Sequence, residues 1–161
     1  MGPLQDTTPR TEQDQYRFMT IINRSALLPY NAHQLYTLVN DVESYPRYLD
    51  GCVGAQVLHL GDDMMEARLD LARGGIKQSF STRNRMISAR EITLELIDGP
   101  FEYFSGRWDF RALGDSACKM SLNLEFNINS TVLGAAASRL FDKVTNNLVD
   151  AVGQRARQLY G

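Results

Sequence analysis

From Met65 to Leu71 the chain alternates apolar and charged residues without a fault, Met-Glu-Ala-Arg-Leu-Asp-Leu, and a period of two governs everything from Cys52 to Ile128. Alternation of this kind puts one side of a strand against a core and the other in water. Ile76–Met86, Glu91–Ile97, Tyr103–Leu113 and Cys118–Ile128 follow it. The last of these places Cys118, Met120, Leu122, Leu124, Phe126 and Ile128 on one face. Between the runs stand Gly61-Asp62-Asp63, Gly74-Gly75, Asp98-Gly99-Pro100 and Gly114-Asp115, all of them turn chemistry. The pattern predicts an antiparallel meander with one buried face.

Helical spacing flanks the meander. Thr20–Leu28 reads as a first strand closed by Pro29, and Asn31 with Gln34 three residues on forms a capping box. Ala32, Leu35, Tyr36 and Val39 then share one helical face. A second short helical turn is expected around Glu43–Tyr48, with Pro46 in its first turn, where a missing N–H costs nothing. After Asn129-Ser130, a natural N-cap, Leu133, Ala137, Leu140, Val144, Leu148, Val152 and Leu159 lie along one stripe with Phe141 beside it. Arg139, Lys143, Asp150 and Arg157 mostly fall elsewhere on the wheel.

The expected class is therefore α+β: a curved antiparallel sheet of about six to seven strands wrapped on a long C-terminal helix, with two short helices after the first strand. Residues 19–161 form this domain. Residues 1–18 are polar, with Pro3 and Pro9 and almost no aliphatic side chains, and are expected to be either a disordered leader or a non-native remnant. They have no apolar stretch for a secretory signal, and Asp6, Glu12 and Asp14 argue against a transit peptide.

A sheet gripping one helix tends to leave space between them. The strand and helix parities assign its walls to Phe80, Thr82, Asn84, Trp108, Phe110, Leu122, Leu124, Phe141, Val144 and Leu148. The competing reading is that these side chains fill a solid core. Tyr45, Tyr48 and Phe101 are placed at the cavity rim, next to segments that end strands or lid such folds, where they can help the mouth meet a membrane.

The remaining chemistry is sparse. His33 and His59 fall in different elements, and no phosphate loop, nucleophile elbow, HExxH or Cys/His cluster occurs. No catalytic residue, metal site or cofactor is assigned, and a non-enzymatic role is expected. Cys52 and Cys118 lack CxxC spacing, which fits buried thiols in a reduced, intracellular setting. A net charge of −2 argues against a protein wrapped around nucleic acid, yet leaves room for a local basic patch. Residues 68–90 carry Arg68, Arg73, Lys77, Arg83, Arg85 and Arg90 against Asp70. Lys77, Arg83 and Arg85 share the wet parity of one strand, a candidate contact for RNA phosphates or an anionic membrane. Glu91 and Glu95 on the next strand are within reach to neutralise them.

One set of motifs, in order, carries a family resemblance over residues 20–161. Leu38-Val39-Asn40-Asp41-Val42-Glu43-Ser44-Tyr45-Pro46, then Leu49 and Gly51-Cys52, open it. Thr82-Arg83-Asn84, Leu96-Ile97-Asp98-Gly99-Pro100-Phe101 and Gly106-Arg107-Trp108-Asp109-Phe110 follow. Ala117-Cys118 and Arg155-Ala156-Arg157-Gln158-Leu159-Tyr160 close it. The set resembles the RatA family, related to the mitochondrial coenzyme Q-binding proteins and to the START-like polyketide cyclase/dehydrase superfamily. Asp50 departs from the pattern by standing where many members have proline, which is expected to loosen the turn into the second strand.

The resemblance implies a helix-grip fold with an interior cavity. It implies first a carrier or chaperone of ubiquinone or a similar isoprenoid lipid, supporting respiration or quinone synthesis. The alternative is a toxin-like factor on the large ribosomal subunit that hinders subunit association. Third is a polyketide cyclase or aromatase, for which Tyr36, Thr82 and Asn84 are the only polar candidates. Physical reasoning ranks the lipid first: ubiquinone is almost wholly apolar, and burial stabilises by roughly 25 cal/mol per Å². The expected setting is cytoplasmic, with peripheral contact at the inner membrane, and DNA is not an expected partner.

Overall fold

A computed structural model describes residues 19–128 and 132–161. The leader assigned to residues 1–18 and the Asn129-Ser130 cap lie outside the described residues, as does the side chain of Leu133. The elements are β1 (Thr20–Leu28), α1 (Ala32–Asn40), a 3₁₀ segment (Val42–Arg47), β2 (Cys52–Leu60), β3 (Met64–Arg73), β4 (Ile76–Ile87), β5 (Glu91–Asp98), β6 (Phe101–Ala112), β7 (Cys118–Ile128) and α2 (Val132–Tyr160). The seven strands make one antiparallel sheet in the order β1-β7-β6-β5-β4-β3-β2. Strict sequence order from β2 to β7 is the meander that the alternation predicts; β1 closes the far side by pairing with β7.

Local chemistry sets the boundaries. Gly74 and Gly75 both take positive φ, 57° and 82°, and join Arg73 to Ile76 as a two-residue hairpin whose twist matches the flanking strands. At α1 the capping box is complete. The Gln34 amide donates to Asn31 Oδ1 at 2.8 Å, and the Asn31 amide to Gln34 Oε1 at 3.0 Å.

Two details differ from expectation. Pro46 sits in the second turn of the 3₁₀ segment, because Asp41 starts that segment early by accepting from the Ser44 amide. The turn at Asp50 is not loose either. Its carboxylate accepts from Arg73 at 3.3 Å, and the Gly51 carbonyl from the Ala72 amide at 2.9 Å.

The core lies between the concave face of the sheet and α2. Cys118, Met120, Leu122, Leu124, Phe126 and Ile128 are all buried, facing Ala137, Leu140, Phe141, Val144, Leu148, Val152 and Ala156 of the helix. Leu159 is the exception on the helical stripe, being 51% exposed.

Candidate functional site

The alternation of β3 to β7 and the inner stripe of α2 leave a void between sheet and helix, ≈ 70 Å³ in volume. Phe80, Thr82, Asn84, Trp108, Leu122, Leu124, Phe141, Val144 and Leu148 border it. Phe110 does not. Its ring stacks on Trp108 at 6.2 Å and meets Tyr36 edge-on at 5.7 Å, further along the strand than the void reaches. Parity correctly puts Phe110 on the inner face but says nothing of its position along it.

The expected rim residues are placed differently. Tyr45 is a buried wall of the void, and its hydroxyl donates to the Val39 carbonyl. Phe101 is also a wall. Tyr48 lies off the void, half-buried between Tyr45 and the Arg155 guanidinium, which sits 5.5 Å from its ring centre. A tyrosine buried to 4% exposure has no surface to offer a membrane, so that role is corrected for Tyr45.

One end of the void is an aromatic cluster. Phe141 meets Phe101 at 4.7 Å, Phe80 at 5.3 Å and Phe126 at 6.2 Å. Phe104 joins through Phe101 at 5.1 Å. Such tilted and edge-on contacts suit the ring quadrupoles.

The polar groups on the walls are few and neutral. Thr82 Oγ1 donates to Asn84 Oδ1 at 2.7 Å, and Thr145 Oγ1 to the Phe141 carbonyl at 2.6 Å. Asn40, a wall that strand parity has no means of finding, keeps its Oδ1 buried without a hydrogen-bond partner. Among the described residues no Asp, Glu, His, Lys or Arg borders the void. Tyr45 is the one titratable wall, and burial pushes its phenol well above the ordinary range. Such a lining suits a neutral, mostly apolar group and offers no acid–base pair.

Both thiols are buried and free. Burial pushes Cys52 up to about 11 and raises Cys118 as well, so neither is a poised nucleophile. His33 and His59 are both exposed and belong to different elements. Among the described residues no group of three or more His, Cys, Asp or Glu is placed to hold a metal ion, and no helix is long and apolar enough to cross a membrane.

The convex face carries the charge. Lys77, Arg83 and Arg85 project there, but two of the three are engaged. Arg83 donates to Glu66 Oε1 from Nε at 3.1 Å and from Nη2 at 2.9 Å; Arg85 approaches Glu95 at 3.4 Å. Glu91 turns instead to Arg107, 3.8 Å away. Neutralisation therefore comes mainly from β3, through the directly opposed Glu66↔Arg83 pair.

Comparison with known proteins fits this geometry. Residues 28–152 match the family described as polyketide cyclase / dehydrase and lipid transport. The chain is 45% identical over 142 residues to the "Ribosome association toxin RatA" of Pseudomonas aeruginosa, covering 88% of this chain and 99% of that protein. It is 39% identical to the protein of the same name from Escherichia coli, covering 88% and 90%. The "Coenzyme Q-binding protein COQ10 homolog B, mitochondrial" of Xenopus laevis is 22% identical, covering 86% and 59%. Among solved structures, the ZhuI aromatase/cyclase of Streptomyces sp. R1128 superposes with a TM-score of 0.75 at 15% identity, covering 87% and 94%. That last likeness establishes the helix-grip fold alone.

Proposed function

The chain belongs to the polyketide cyclase/dehydrase and lipid transport family and, within it, to the RatA proteins, and from that premise we propose that it is a non-catalytic factor acting on the association of ribosomes. The observation that carries this reading is the 39–45% identity to proteins named for that role, sustained over the whole folded unit. It reverses the order in which the sequence alone ranks the functions. The coenzyme Q-binding relative is similar at only 22%, and a void of ≈ 70 Å³ is well below the roughly 300–1,000 Å³ of pockets that enclose drug-sized ligands. A quinone with an isoprenoid tail would have to push walls apart to enter. Co-sedimentation tests the reading: the chain travels with one purified ribosomal subunit through a sucrose cushion, whereas recovery of all of it at the top would sink the proposal.

A second reading is favoured by the void itself. Its walls are apolar and its hydroxyls and amides neutral, which fits a small neutral lipid or quinone-like head held against Thr82 and Asn84. This role is compatible with the first, because it uses the interior while ribosome contact uses the surface. Native mass spectrometry of gently purified protein tests it. A bound neutral lipid lost in Asn84→Leu supports the reading, and an empty protein that takes up no added quinone removes it. Cyclase chemistry ranks last, since no acid–base pair lines the void.

A further inference from the structure

Among the described residues, a group of unpaired cations lies away from the Lys77/Arg83/Arg85 stripe, two of whose members are paired. At the end of the sheet where the β4–β5 turn meets β6 and β7, an open groove of ≈ 670 Å³ is bordered by Arg90, Glu91, Asp109, Arg111, Lys119 and Ser121, among others. Its two acids are already held: Arg107 lies 2.9 Å from Asp109 and 3.8 Å from Glu91. Arg90, Arg111 and Lys119 are exposed, and among the described residues none of the three has an acid within ion-pair distance. By contrast, Arg24, Arg68, Arg73, Arg83, Arg85 and Arg107 each do.

Two features make the cluster costly to the fold. Arg111 and Lys119 are directly opposed partners of the β6–β7 ladder, so two like charges face each other on the wet side of the sheet, an arrangement that disfavours pairing. Arg90 is delivered by a turn in which Ala89 takes φ 57°, a left-handed conformation that a residue with a Cβ adopts at a cost. The Phe110 amide then donates to the Arg90 carbonyl at 2.8 Å, which fixes that turn against β6. Unpaired cations gathered in one groove leave a local positive potential that attracts a polyanion.

We propose that the Arg90/Arg111/Lys119 groove is the surface that receives an RNA phosphodiester backbone, and hence the contact through which the chain meets the ribosome. The inference rests on the ribosome-association reading above and goes beyond it by naming the surface. Contacts to phosphate carry affinity without base recognition and release counterions, so binding through three cations falls steeply with salt.

The test measures binding of the full chain to purified ribosomal subunits across a KCl titration. Four proteins are compared: the natural chain, Lys119→Glu alone, the triple Arg90→Glu/Arg111→Glu/Lys119→Glu, and Lys77→Glu/Arg85→Glu at the rival stripe. The triple variant is expected to bind at least about tenfold more weakly at 100 mM salt, with the log–log salt slope reduced by about 2 to 3. Lys119→Glu alone replaces a like-charge pair by an opposite one; it is expected to weaken binding while raising the urea midpoint, which a merely structural role would not produce. Equal binding by the natural chain and the triple variant overturns the groove and leaves ribosome association standing. Loss confined to the Lys77/Arg85 variant does the same. If the natural chain binds no subunit, the ribosome reading fails. The groove is then judged on ribosomal RNA alone and on phosphatidylglycerol vesicles. Charge-dependent binding to the RNA upholds it, whereas binding to vesicles only, or to neither, overturns it.

Discussion

Replacing Phe141 by alanine strikes the aromatic cluster at its centre. The ring is 1% exposed and touches Phe101, Phe80 and Phe126 at centroid distances of 4.7, 5.3 and 6.2 Å. Withdrawing a buried ring of this size forfeits about 2–3 kcal/mol of transfer free energy. Lost ring–ring contacts add roughly 0.5 kcal/mol or more apiece. Relief by collapse is restricted, because the deleted volume joins the existing ≈ 70 Å³ void whose walls are backed by the sheet. The expected loss is about 4 kcal/mol, within the range of about 3–5 for such truncations in close-packed cores. With a urea slope of about 2 kcal/mol per molar, the midpoint falls by about 2 M. Trp108 is the single tryptophan and is 2% exposed, so its fluorescence follows unfolding directly. The enlarged void should also admit benzene or indole, raising the variant's midpoint in proportion to the logarithm of ligand concentration and by more than in the natural chain. A midpoint shift below about 0.5 M, with the slope unchanged, would refute the picture of a tightly packed aromatic wall.

Three further outcomes follow from the same geometry. Asn31→Ala removes one half of the capping box and should cost about 1 kcal/mol in urea unfolding, whereas Asn31→Ser should keep most of it. Thr82→Val leaves Asn84 Oδ1 without its donor and should cost about 1–2 kcal/mol; Thr82→Val with Asn84→Leu removes both partners and should cost less than the two single changes summed. Additive costs would show the pair to be uncoupled. Alkali gives the third. Because burial lifts the Cys52 thiol to about 11, the folded state stays protonated where the unfolded chain ionises. This thiol's contribution to stability is therefore flat below about pH 8.5 and declines as pH rises toward 11, by up to about 2–3 kcal/mol. Cys52→Ala should lessen that decline, with buried Cys118 and Tyr45 still contributing, and an unchanged midpoint from pH 8 to 10.5 in the natural chain would contradict it.

Much of this architecture is written plainly in the chain, and the reasons are local. β7 alternates across its whole length, and Gly74-Gly75 admits little but a tight hairpin, so strand faces and boundaries follow from period and turn chemistry. The capping box specifies the start of α1 equally directly. Partnering is less legible. β4 residues from Ser81 to Arg85 have neighbours on both β3 and β5, and sequence proximity points to Glu91 and Glu95, while Arg83 in fact takes Glu66 on the other side. Position along a strand is also hidden, which is why Phe110 shares a face with the void's walls yet lies beyond it. Tyr45 reads as a rim residue because it stands beside Pro46 in a short helical segment of the kind that lids such folds, but the 3₁₀ segment turns it inward to the Val39 carbonyl. The basic groove is the least visible feature. Arg90, Arg111 and Lys119 come from one turn and two strand ends far apart in sequence, and only the sheet order joins them.

Light scattering of purified small and large ribosomal subunits, mixed in magnesium buffer with and without an excess of the full chain, tests ribosome association most directly. The account predicts a lower amplitude or slower rise of subunit pairing, with the chain recovered on one subunit after sedimentation. An identical time course, with all of the chain left unbound, would contradict it.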